Sequence, residues 1–314
     1  MKITVLDGYT ENPGDLNWKD FEALGDVSVY ERSQDEEVLE RMKDAEVVII
    51  NKVRMTRERM EANPQLRYIG VLATGYDVVD IKAAKELGIA VTNVPGYGTD
   101  TVAQYAIALL LEVTSRIGHH AQRVKQGAWS NSTDWCFWDY PLLELSGRTM
   151  GIIGYGRIGR KVADIARAMG MRILYHSAHP NPTDPECVSL TDLLRNSDVV
   201  TLHCPLTEHN ESLINKDTLA LMKKNAILIN NARGKLINEH DLAAALKKKQ
   251  IYAAALDVVR EEPMSPDNPL AQLDNCLITP HISWASHEAR ARIMKIAADN
   301  LLSFMQGGKQ NRIV

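Results

Sequence analysis

Short apolar runs alternate with helix-like segments along the whole of this 314-residue chain. Such alternation favours parallel sheets with crossover helices. The runs are rich in Val, Ile and Leu, which indicates sheets covered on both faces. We therefore expect an α/β chain of two flavodoxin- or Rossmann-like domains, each with a parallel sheet. The predicted strands are 2–7, 27–30, 46–50, 67–71 and 90–93, then 149–153, 172–175, 198–203, 226–230, 252–257 and 276–279.

The length of the chain fits two domains, and the sequence indicates where they join. Asp100 and Thr101 are predicted to cap a long amphipathic helix from 102 to about 125. An irregular aromatic segment, 129–145, follows it. A last helix over 286–305 could return the chain to its first domain. We expect a discontinuous domain of 1–99 and 286–314, and a dinucleotide-binding domain of 100–285.

Composition and charge exclude several classes of protein. A net charge of −4 gives no electrostatic case for nucleic acid or an anionic membrane as partner. The four cysteines have no CxxC pair and no zinc-like spacing, so we expect reduced thiols and no metal site. The N-terminus is predicted to be a strand rather than a signal peptide, and no apolar run approaches the ~20 residues of a membrane span. A cytoplasmic protein is expected.

A glycine-rich turn follows the run at 149–153 and opens a helix of sequence RKVADIARAMG. Gly154, Gly156 and Gly159 have GxGxxG spacing. The first permits a tight turn, the second lets backbone approach a pyrophosphate, and the third allows close helix–strand packing. The helix N-terminus favours negative charge. This context predicts a dinucleotide site, although similar turns occur in SAM-binding proteins, so the turn alone leaves a methyltransferase open.

The strand after this turn, RILYHS, ends without the expected acid. A carboxylate there ordinarily accepts hydrogen bonds from the adenosine ribose hydroxyls, but here Tyr175 is followed by His176 and Ser177. Loss of the carboxylate removes a repulsion against the 2′-phosphate of NADP. Yet no Arg or Lys lies between 173 and 194 to attract that phosphate. We expect NAD and leave NADP open; the alternative is that His176, Ser177 and His179 are solvated loop residues.

Three polar residues lie at or near the ends of predicted strands in the second half of the chain. Arg233 follows ILINNA, Glu262 lies in AAALDVVREEP, and His281 follows CLITP. Ligands of open α/β sheets bind at the carboxyl ends of the strands. Taken singly, each residue is better explained as a surface or turn residue. Together, beside a dinucleotide turn, they predict an active site.

The ordered motifs GYGRIG, HCPLT, NNARG, LDVVREEP and ITPH resemble the D-isomer-specific 2-hydroxyacid dehydrogenase family. The resemblance covers essentially the whole chain. VLATGYDVVD, NVPGYGTDTVAQ and FWDYPLLEL are most similar to the glycerate dehydrogenase/hydroxypyruvate reductase branch. The resemblance implies hydride transfer between NAD(P)H and a small 2-keto or D-2-hydroxy acid, in a cleft between the two domains. Hydroxypyruvate or glyoxylate reduction, or glycerate oxidation, is expected.

The resemblance also assigns roles to the three polar residues. His281 exchanges a proton with the carbonyl oxygen, because histidine gives or takes a proton close to neutral pH. Glu262 orients that ring and stabilises its charged form. Arg233 offers a planar fork to the substrate carboxylate and carbonyl oxygen. Asp257 is expected to hold the nicotinamide side of the cofactor.

Further contacts follow from the same resemblance. Besides the glycines, His176 and Asp257, the expected cofactor contacts are Thr101, Arg157, Ile158, Cys204, Pro205 and Ala232. Besides Arg233, the expected substrate contacts are Ala73, Thr74 and Gly75, whose backbone N–H groups would face the carboxylate. On composition alone, Cys204 is an ordinary buried thiol. The alternative for the 73–75 segment is a simple strand-ending turn. Lys52 could add positive charge beside that segment, but it is better explained as a solvated lysine.

The aromatic segment has two interpretations. Trp135, Phe137 and Trp138 could form a satellite core under a long loop. The family resemblance instead implies a two-fold homodimer in which a Trp reaches toward the neighbouring subunit.

Other functions stay open at this point. One is an NADH-sensing, co-repressor-like binding protein on the same fold, which the intact Arg233, Glu262 and His281 set argues against. Another is a D-lactate-type dehydrogenase; a phosphoglycerate dehydrogenase is disfavoured because no regulatory domain follows Val314.

Overall fold

A computed structural model describes all residues, 1–314, and the chain divides into two compact units. The first unit comprises Met1–Gly98 and Trp284–Val314, and the second comprises Thr99–Ser283. Each unit contains one fully parallel sheet with helices on its faces. The expected architecture of two parallel-sheet α/β domains is confirmed.

The first unit is built on a five-stranded sheet in the order β2-β1-β3-β4-β5. Runs such as VVII and YIGV are buried at every position, as expected for strands covered on both faces. Its strands are β1 Lys2–Val5, β2 Asp26–Val29, β3 Val47–Ile50, β4 Tyr68–Val71 and β5 Ala90–Thr92. Its helices are α1 Lys19–Glu22, α2 Val38–Arg41, α3 Arg57–Glu61, α4 Ile81–Glu86 and the C-terminal α11 His287–Met305.

The second unit carries a six-stranded sheet in the order β11-β10-β9-β8-β6-β7. Its strands are β6 Thr149–Ile153, β7 Arg172–His176, β8 Val199–Leu202, β9 Ile227–Asn230, β10 Ala253–Leu256 and β11 Cys276–Ile278. Its helices are α5 Thr99–Ser115, α6 Ile117–Lys125, α7 Arg157–Ala168, α8 Leu190–Asn196, α9 Lys216–Leu221 and α10 Glu239–Lys247. The strand order reverses beside β6, where β7 lies on one side and β8 on the other, and ligands of such sheets bind at this point.

All eleven predicted strands form, most of them one or two residues shorter than predicted. The predicted single helix from 102 to about 125 is wrong in two respects. It begins at Thr99, so Asp100 and Thr101 lie inside its first turn rather than capping it. It also breaks at Arg116, which adopts a left-handed backbone conformation (φ 50°) between α5 and α6. The Glu112 carboxylate accepts the Gly118 N–H across this break.

Two apolar clusters fill the faces of each sheet. In the second unit, α5 and α7 cover one face, where Leu110 and Val162 are fully buried, and α8 to α10 cover the other. In the first unit, α11 packs Ile293 and Leu301 against β4 and β5. No helix combines the length and the apolar character needed to cross a membrane. All four cysteines are free.

Candidate active site

The glycine turn between β6 and α7 has the geometry that the sequence predicts. Gly154 has φ +98°, and a Cβ on it would lie 2.5 Å from the Cys204 backbone nitrogen, beyond β8. A Cβ on Gly159 would lie 2.2 Å from the Gly154 carbonyl oxygen. Both positions therefore exclude any side chain. A Cβ on Gly156, in contrast, would meet nothing within 4 Å, so this glycine leaves the approach to the turn open.

The N-terminus of α7 has no side-chain cap, because Gly156 is its N-cap residue. The helices α8, α9 and α10 are capped by the side chains of Ser189, Asn215 and Asn238. The first backbone N–H groups of α7 are thus left for another acceptor, and an anionic group at a helix N-terminus is the usual one. The open approach and the uncapped helix fit the pyrophosphate of a dinucleotide.

The other expected cofactor residues lie in the second unit, and His176 and Cys204 border the glycine turn. The Gly154 N–H donates to the carbonyl of His176, at the end of β7 (2.9 Å). Thr101 Oγ1 donates to the Ser283 carbonyl (3.3 Å), so its hydroxyl is engaged in the protein. Burial raises the pKa of the Cys204 thiol, so the thiol is protonated at neutral pH. The expected positions that border the turn and the strand ends are exposed or half-buried: Arg157, Ile158, Pro205 and Ala232.

Arg233 lies in a turn that follows β9. The side chain of Asn230 stabilises this turn. The buried Asn230 side chain accepts the Ala232 N–H (3.0 Å) and donates to the Arg233 carbonyl (2.9 Å). The next residue, Gly234, has no room for a side chain, since a Cβ would lie 1.9 Å from the Val259 carbonyl oxygen. The Arg233 turn therefore packs against the loop after β10, and its guanidinium is exposed.

Glu262 and His281 form a direct pair. His281 Nδ1 lies 2.7 Å from Glu262 Oε2, and the other carboxylate oxygen, Oε1, accepts the Val259 N–H (3.2 Å). A carboxylate can only accept, so Nδ1 carries the proton and Nε2 becomes the ring atom that exchanges a proton with a ligand. The backbone of His281 has φ 54°, a conformation that L residues rarely adopt and that functional sites often retain.

Asp257 supports the turn that carries His281. Its fully buried carboxylate accepts hydrogen bonds from Thr279 Oγ1 (2.6 Å), Ile282 N (2.9 Å), Ser283 N (2.7 Å) and Ser283 Oγ (2.6 Å). Two oxygens offer about four acceptor positions, so the side chain is engaged with this turn. Asp257 is therefore tied to the turn that carries His281, and its expected contact with the nicotinamide side of the cofactor stays a prediction.

Sequence reasoning did not single out three residues that shape this region: Asn230, Gly234 and Ser283. The first two belong to the NNARG motif, so a buried polar residue at a strand end followed by a glycine was the available signal. Ser283 has no such signal, because its role depends on a hydrogen bond to a residue 26 positions earlier.

In the first unit, the 73–75 segment lies two residues beyond the end of β4. Thr74 Oγ1 donates to the Val94 carbonyl (2.9 Å), and Asn93 Nδ2 donates to the Thr74 carbonyl (2.7 Å). The Thr74 residue is exposed and its neighbours Ala73 and Gly75 are half-exposed. Lys52 is also exposed, and its backbone N–H donates to Asp7.

The aromatic segment does not form a satellite core. Trp135 is 87% exposed and Trp138 is 64% exposed, so that interpretation is wrong for both tryptophans. Phe137 is half-buried with its ring 6.1 Å from that of His120. The segment is attached to α6 through Asp139, which accepts from His119 (2.7 Å) and Arg123 (3.0 Å).

His119, His120 and Asp139 also place three possible metal-ligand atoms within 4.8 Å of one another, although sequence spacing predicted no metal site. Arg123 shares the Asp139 oxygen with His119, and His120 Nε2 accepts the Asp139 N–H (3.2 Å). Asp139 is thus the centre of a network of hydrogen bonds and ion pairs with α6.

Comparison with known proteins identifies the family. The model of the D-isomer specific 2-hydroxyacid dehydrogenase, NAD binding domain, matches residues 107–283, which is more than half of the chain. The chain belongs to this family. The dehydrogenase is 53% identical to the hydroxypyruvate reductase of Blautia hydrogenotrophica over 318 positions, covering 99% of both chains. It is 41% identical to the glycerate dehydrogenase of Methylorubrum extorquens over 278 positions, covering 88% of both chains.

A solved structure gives the same result for the fold. The NADPH-dependent glyoxylate/hydroxypyruvate reductase of Sinorhizobium meliloti, in complex with NADP and malonate, superimposes with a TM-score of 0.85. It is 29% identical to the dehydrogenase, with 100% of this chain and 96% of the other covered. The expected family, its glycerate dehydrogenase/hydroxypyruvate reductase branch and the NAD(P)-dependent oxidoreductase class are confirmed. A methyltransferase is disfavoured.

Proposed function

We propose that this dehydrogenase reduces hydroxypyruvate or glyoxylate with NAD(P)H, and oxidises D-glycerate in the reverse direction. The observation that carries the proposal is the His281–Glu262 pair, 2.7 Å apart, in the unit that also presents the open glycine turn. The similarity to a hydroxypyruvate reductase over 99% of both chains supports the substrate class.

The residues of the second unit would act on the substrate in distinct ways. A bound nicotinamide supplies the hydride for reduction and accepts it in oxidation. His281 donates a proton from Nε2 to the carbonyl oxygen, and Glu262 keeps the ring oriented and compensates its positive charge. Arg233 holds the substrate carboxylate and stabilises charge that develops on the carbonyl oxygen.

We also propose substrate contacts in the first unit. The backbone N–H groups around Ala73, Thr74 and Gly75 would donate to the substrate carboxylate. The two hydrogen bonds that tie Thr74 to the 93–94 segment support this role, because they fix the path of the loop.

The test is turnover on a panel of hydroxypyruvate, glyoxylate and pyruvate with NADH and NADPH. We expect hydroxypyruvate or glyoxylate to have the highest kcat/KM. His281→Ala should lower kcat by about 10²–10⁴-fold, and Arg233→Ala should lower kcat/KM by about 10²–10³-fold. Arg260→Ala is the matched control, because Arg260 is an exposed arginine near the same turn that pairs with Glu211 and should be dispensable.

Each contrary result has a specific meaning. Preference for pyruvate would indicate a D-lactate-type enzyme, and an Arg233→Ala variant as active as the parent would refute the substrate clamp. Negligible turnover across the panel, with dinucleotide binding intact, would favour a co-repressor-like binding protein.

We further propose that the dehydrogenase is a homodimer that uses its aromatic segment. Several large apolar side chains are exposed within 117–142, including those of Trp129, Trp135, Trp138 and Leu142. A cluster of this kind is unusual on a monomer surface and typical of an interface. Sedimentation velocity should show a dimer, and the double variant Trp135→Ser/Trp138→Ser should shift it toward monomer. A monomeric parent would refute the proposal.

A further inference from the structure

The end of β7 is the place where the dehydrogenase departs from the usual dinucleotide site. β7 ends at His176, whose carbonyl accepts the N–H of Gly154 in the glycine turn (2.9 Å). His176 therefore lies beside the turn, at the position where a carboxylate ordinarily accepts hydrogen bonds from the adenosine ribose. An imidazole at this position changes both the charge and the hydrogen-bonding capacity of the site.

The neighbouring chain segment fixes the protonation pattern of the ring. His176 Nδ1 lies 3.2 Å from the carbonyl oxygen of Val188. A carbonyl can only accept, so Nδ1 is the protonated nitrogen. In the neutral ring Nε2 then carries a lone pair and accepts a hydrogen bond, whereas in the charged ring Nε2 donates one.

The segment that supplies Val188 is itself anchored along β7. Tyr175 N donates to the Glu186 carbonyl (2.7 Å), and Val188 N donates to the Tyr175 carbonyl (2.9 Å). Because the segment is held on both sides of Tyr175, the Val188 carbonyl has a fixed position from which to select the tautomer of His176.

The acidic groups of this segment are engaged by other partners. Asp184 accepts the Tyr175 hydroxyl (2.9 Å), and burial together with Asp184 raises the pKa of that phenol above its usual range, so Tyr175 stays neutral. Glu186 pairs with Arg167 of α7. Cys187 and Tyr155 are further ionisable groups that contact Tyr175, and the exposed His179 follows in the next loop. Neither Asp184 nor Glu186 takes the place of the carboxylate that ordinarily binds the adenosine ribose. A 2′-phosphate of NADP would therefore not be repelled by a carboxylate at the end of β7.

We propose that His176 sets the dinucleotide preference through its charge: the neutral ring accepts the adenosine 2′-hydroxyl of NAD at Nε2, and the protonated ring donates to the 2′-phosphate of NADP. The dehydrogenase then binds both dinucleotides, and its preference moves toward NADP as the pH falls. The inference rests on the dinucleotide site of the proposed function and on no part of the catalytic set.

The test uses two probes that contain only the adenosine end of the cofactors. Binding of 5′-AMP and of 2′,5′-ADP to the parent protein is measured by calorimetry from about pH 8.5 to about pH 5.5. The 2′-phosphate itself gains a proton near pH 6, so the parent must be compared with His176→Gln. Glutamine offers an acceptor and a donor but does not titrate. The pH dependence of binding to this variant therefore lacks any contribution from residue 176 and includes that of the ligand phosphate.

We expect the ratio of 2′,5′-ADP to 5′-AMP affinity to rise by up to about tenfold on acidification in the parent, relative to His176→Gln. His176→Asp should lower that ratio by about tenfold or more at neutral pH, because the new carboxylate repels the phosphate. His179→Asp is the matched control: it introduces the same charge three residues away and should leave the ratio near the parent value.

Two results would overturn the proposal. The first is an affinity ratio that depends on pH equally in the parent and in His176→Gln. The second is an equal change of that ratio in His176→Asp and His179→Asp, which would indicate a diffuse effect of added charge. Failure of both probes to bind would refute the dinucleotide site itself, whereas loss of turnover with both probes still bound would refute only the proposed catalysis.

Discussion

Glu11 should make the first unit less stable as the pH rises through neutrality. Its side chain is fully buried. Oε1 accepts one hydrogen bond, from Asn51 Nδ2 (2.9 Å), and Oε2 has no partner. Burial and then the nearby Asp7 carboxylate raise the pKa of Glu11 to about 8, while Arg290 and Lys52 only partly oppose the shift. We expect Glu11 to be protonated at neutral pH in the folded protein.

The sign and size of the effect follow from proton linkage. The ordinary value of 4.5 applies to the unfolded chain. Between about pH 4.5 and pH 8 the folded state holds a proton that the unfolded state has released, so stability falls as the pH rises. The raised pKa corresponds to about 5 kcal/mol over the whole window, at about 1.4 kcal/mol per pH unit in its middle. Below the window the penalty is absent, and above it the penalty is constant.

The perturbation is Glu11→Gln, which keeps the shape and the acceptor for Asn51 but cannot ionise. Hydrogen exchange of the β1 and β3 amides, measured at several pH values, reports the stability of this unit separately from the other. We expect the parent to lose protection between about pH 5 and pH 8, and the variant to lose much less. The carboxylic-acid C=O band of Glu11 should also be present in the infrared spectrum of the parent at neutral pH and absent from that of the variant.

Asp15→Asn is the matched control for this experiment. The Arg290 side chain lowers the pKa of Asp15 to about 2, so its titration lies outside the window. The variant lacks an ion pair but should keep the pH dependence of the parent. If protection of the β1 and β3 amides falls equally with pH in Glu11→Gln and in the parent, Glu11 is ionised in the folded state. The reasoning from its burial is then refuted.

Three further perturbations test the second unit. Gly234→Ala should cost about 1–3 kcal/mol of unfolding free energy and lower kcat/KM, because the new Cβ overlaps the Val259 carbonyl; unchanged urea unfolding would contradict the contact. Asp257→Asn should cost about 2–3 kcal/mol and lower kcat, because the amide keeps one acceptor oxygen and the His281 turn loses the second; a parent-like kcat would show that the turn does not need both oxygens. Burial lowers the pKa of His203 to about 4, so this unit should lose stability as the pH falls from about 6.5 to 4. His203→Gln should remove that loss, as followed by urea unfolding.

Much of this fold follows from local pattern. The eleven strands are apolar runs of a length and composition typical of buried strands, and their pairings are parallel, as expected for strands joined through crossover helices. The ends of the strands were less predictable. Asp7 was assigned to β1, but it lies beyond the strand and its carboxylate accepts the N–H groups of Asn51, Lys52 and Val53. A side chain that binds backbone 44 to 46 residues away leaves no local signal.

The same distinction applies to the candidate site. The glycine turn could be predicted because its spacing follows from contacts within a single strand–turn–helix unit. The roles of Glu262 and His281 came from resemblance, since nothing in their spacing fixes a contact across 19 residues. Gly234 was missed because its requirement comes from the Val259 carbonyl of a different loop. Sequence periodicity describes one element at a time, whereas this site is made by segments that follow four different strands, β6, β9, β10 and β11.

The two units show why similar sheets can differ in what they bind. Both place loops at the carboxyl edge of a parallel sheet, where backbone N–H groups need acceptors. In the first unit, Asp7 supplies the acceptor for the loop after β3 from within the protein. In the second unit, Gly156 supplies none, and the start of α7 is left to a ligand. A side chain that caps these groups would close the site: Gly156→Asp should therefore abolish dinucleotide binding while retaining the fold, whereas Gly156→Ala, which the open space accommodates, should weaken binding only modestly.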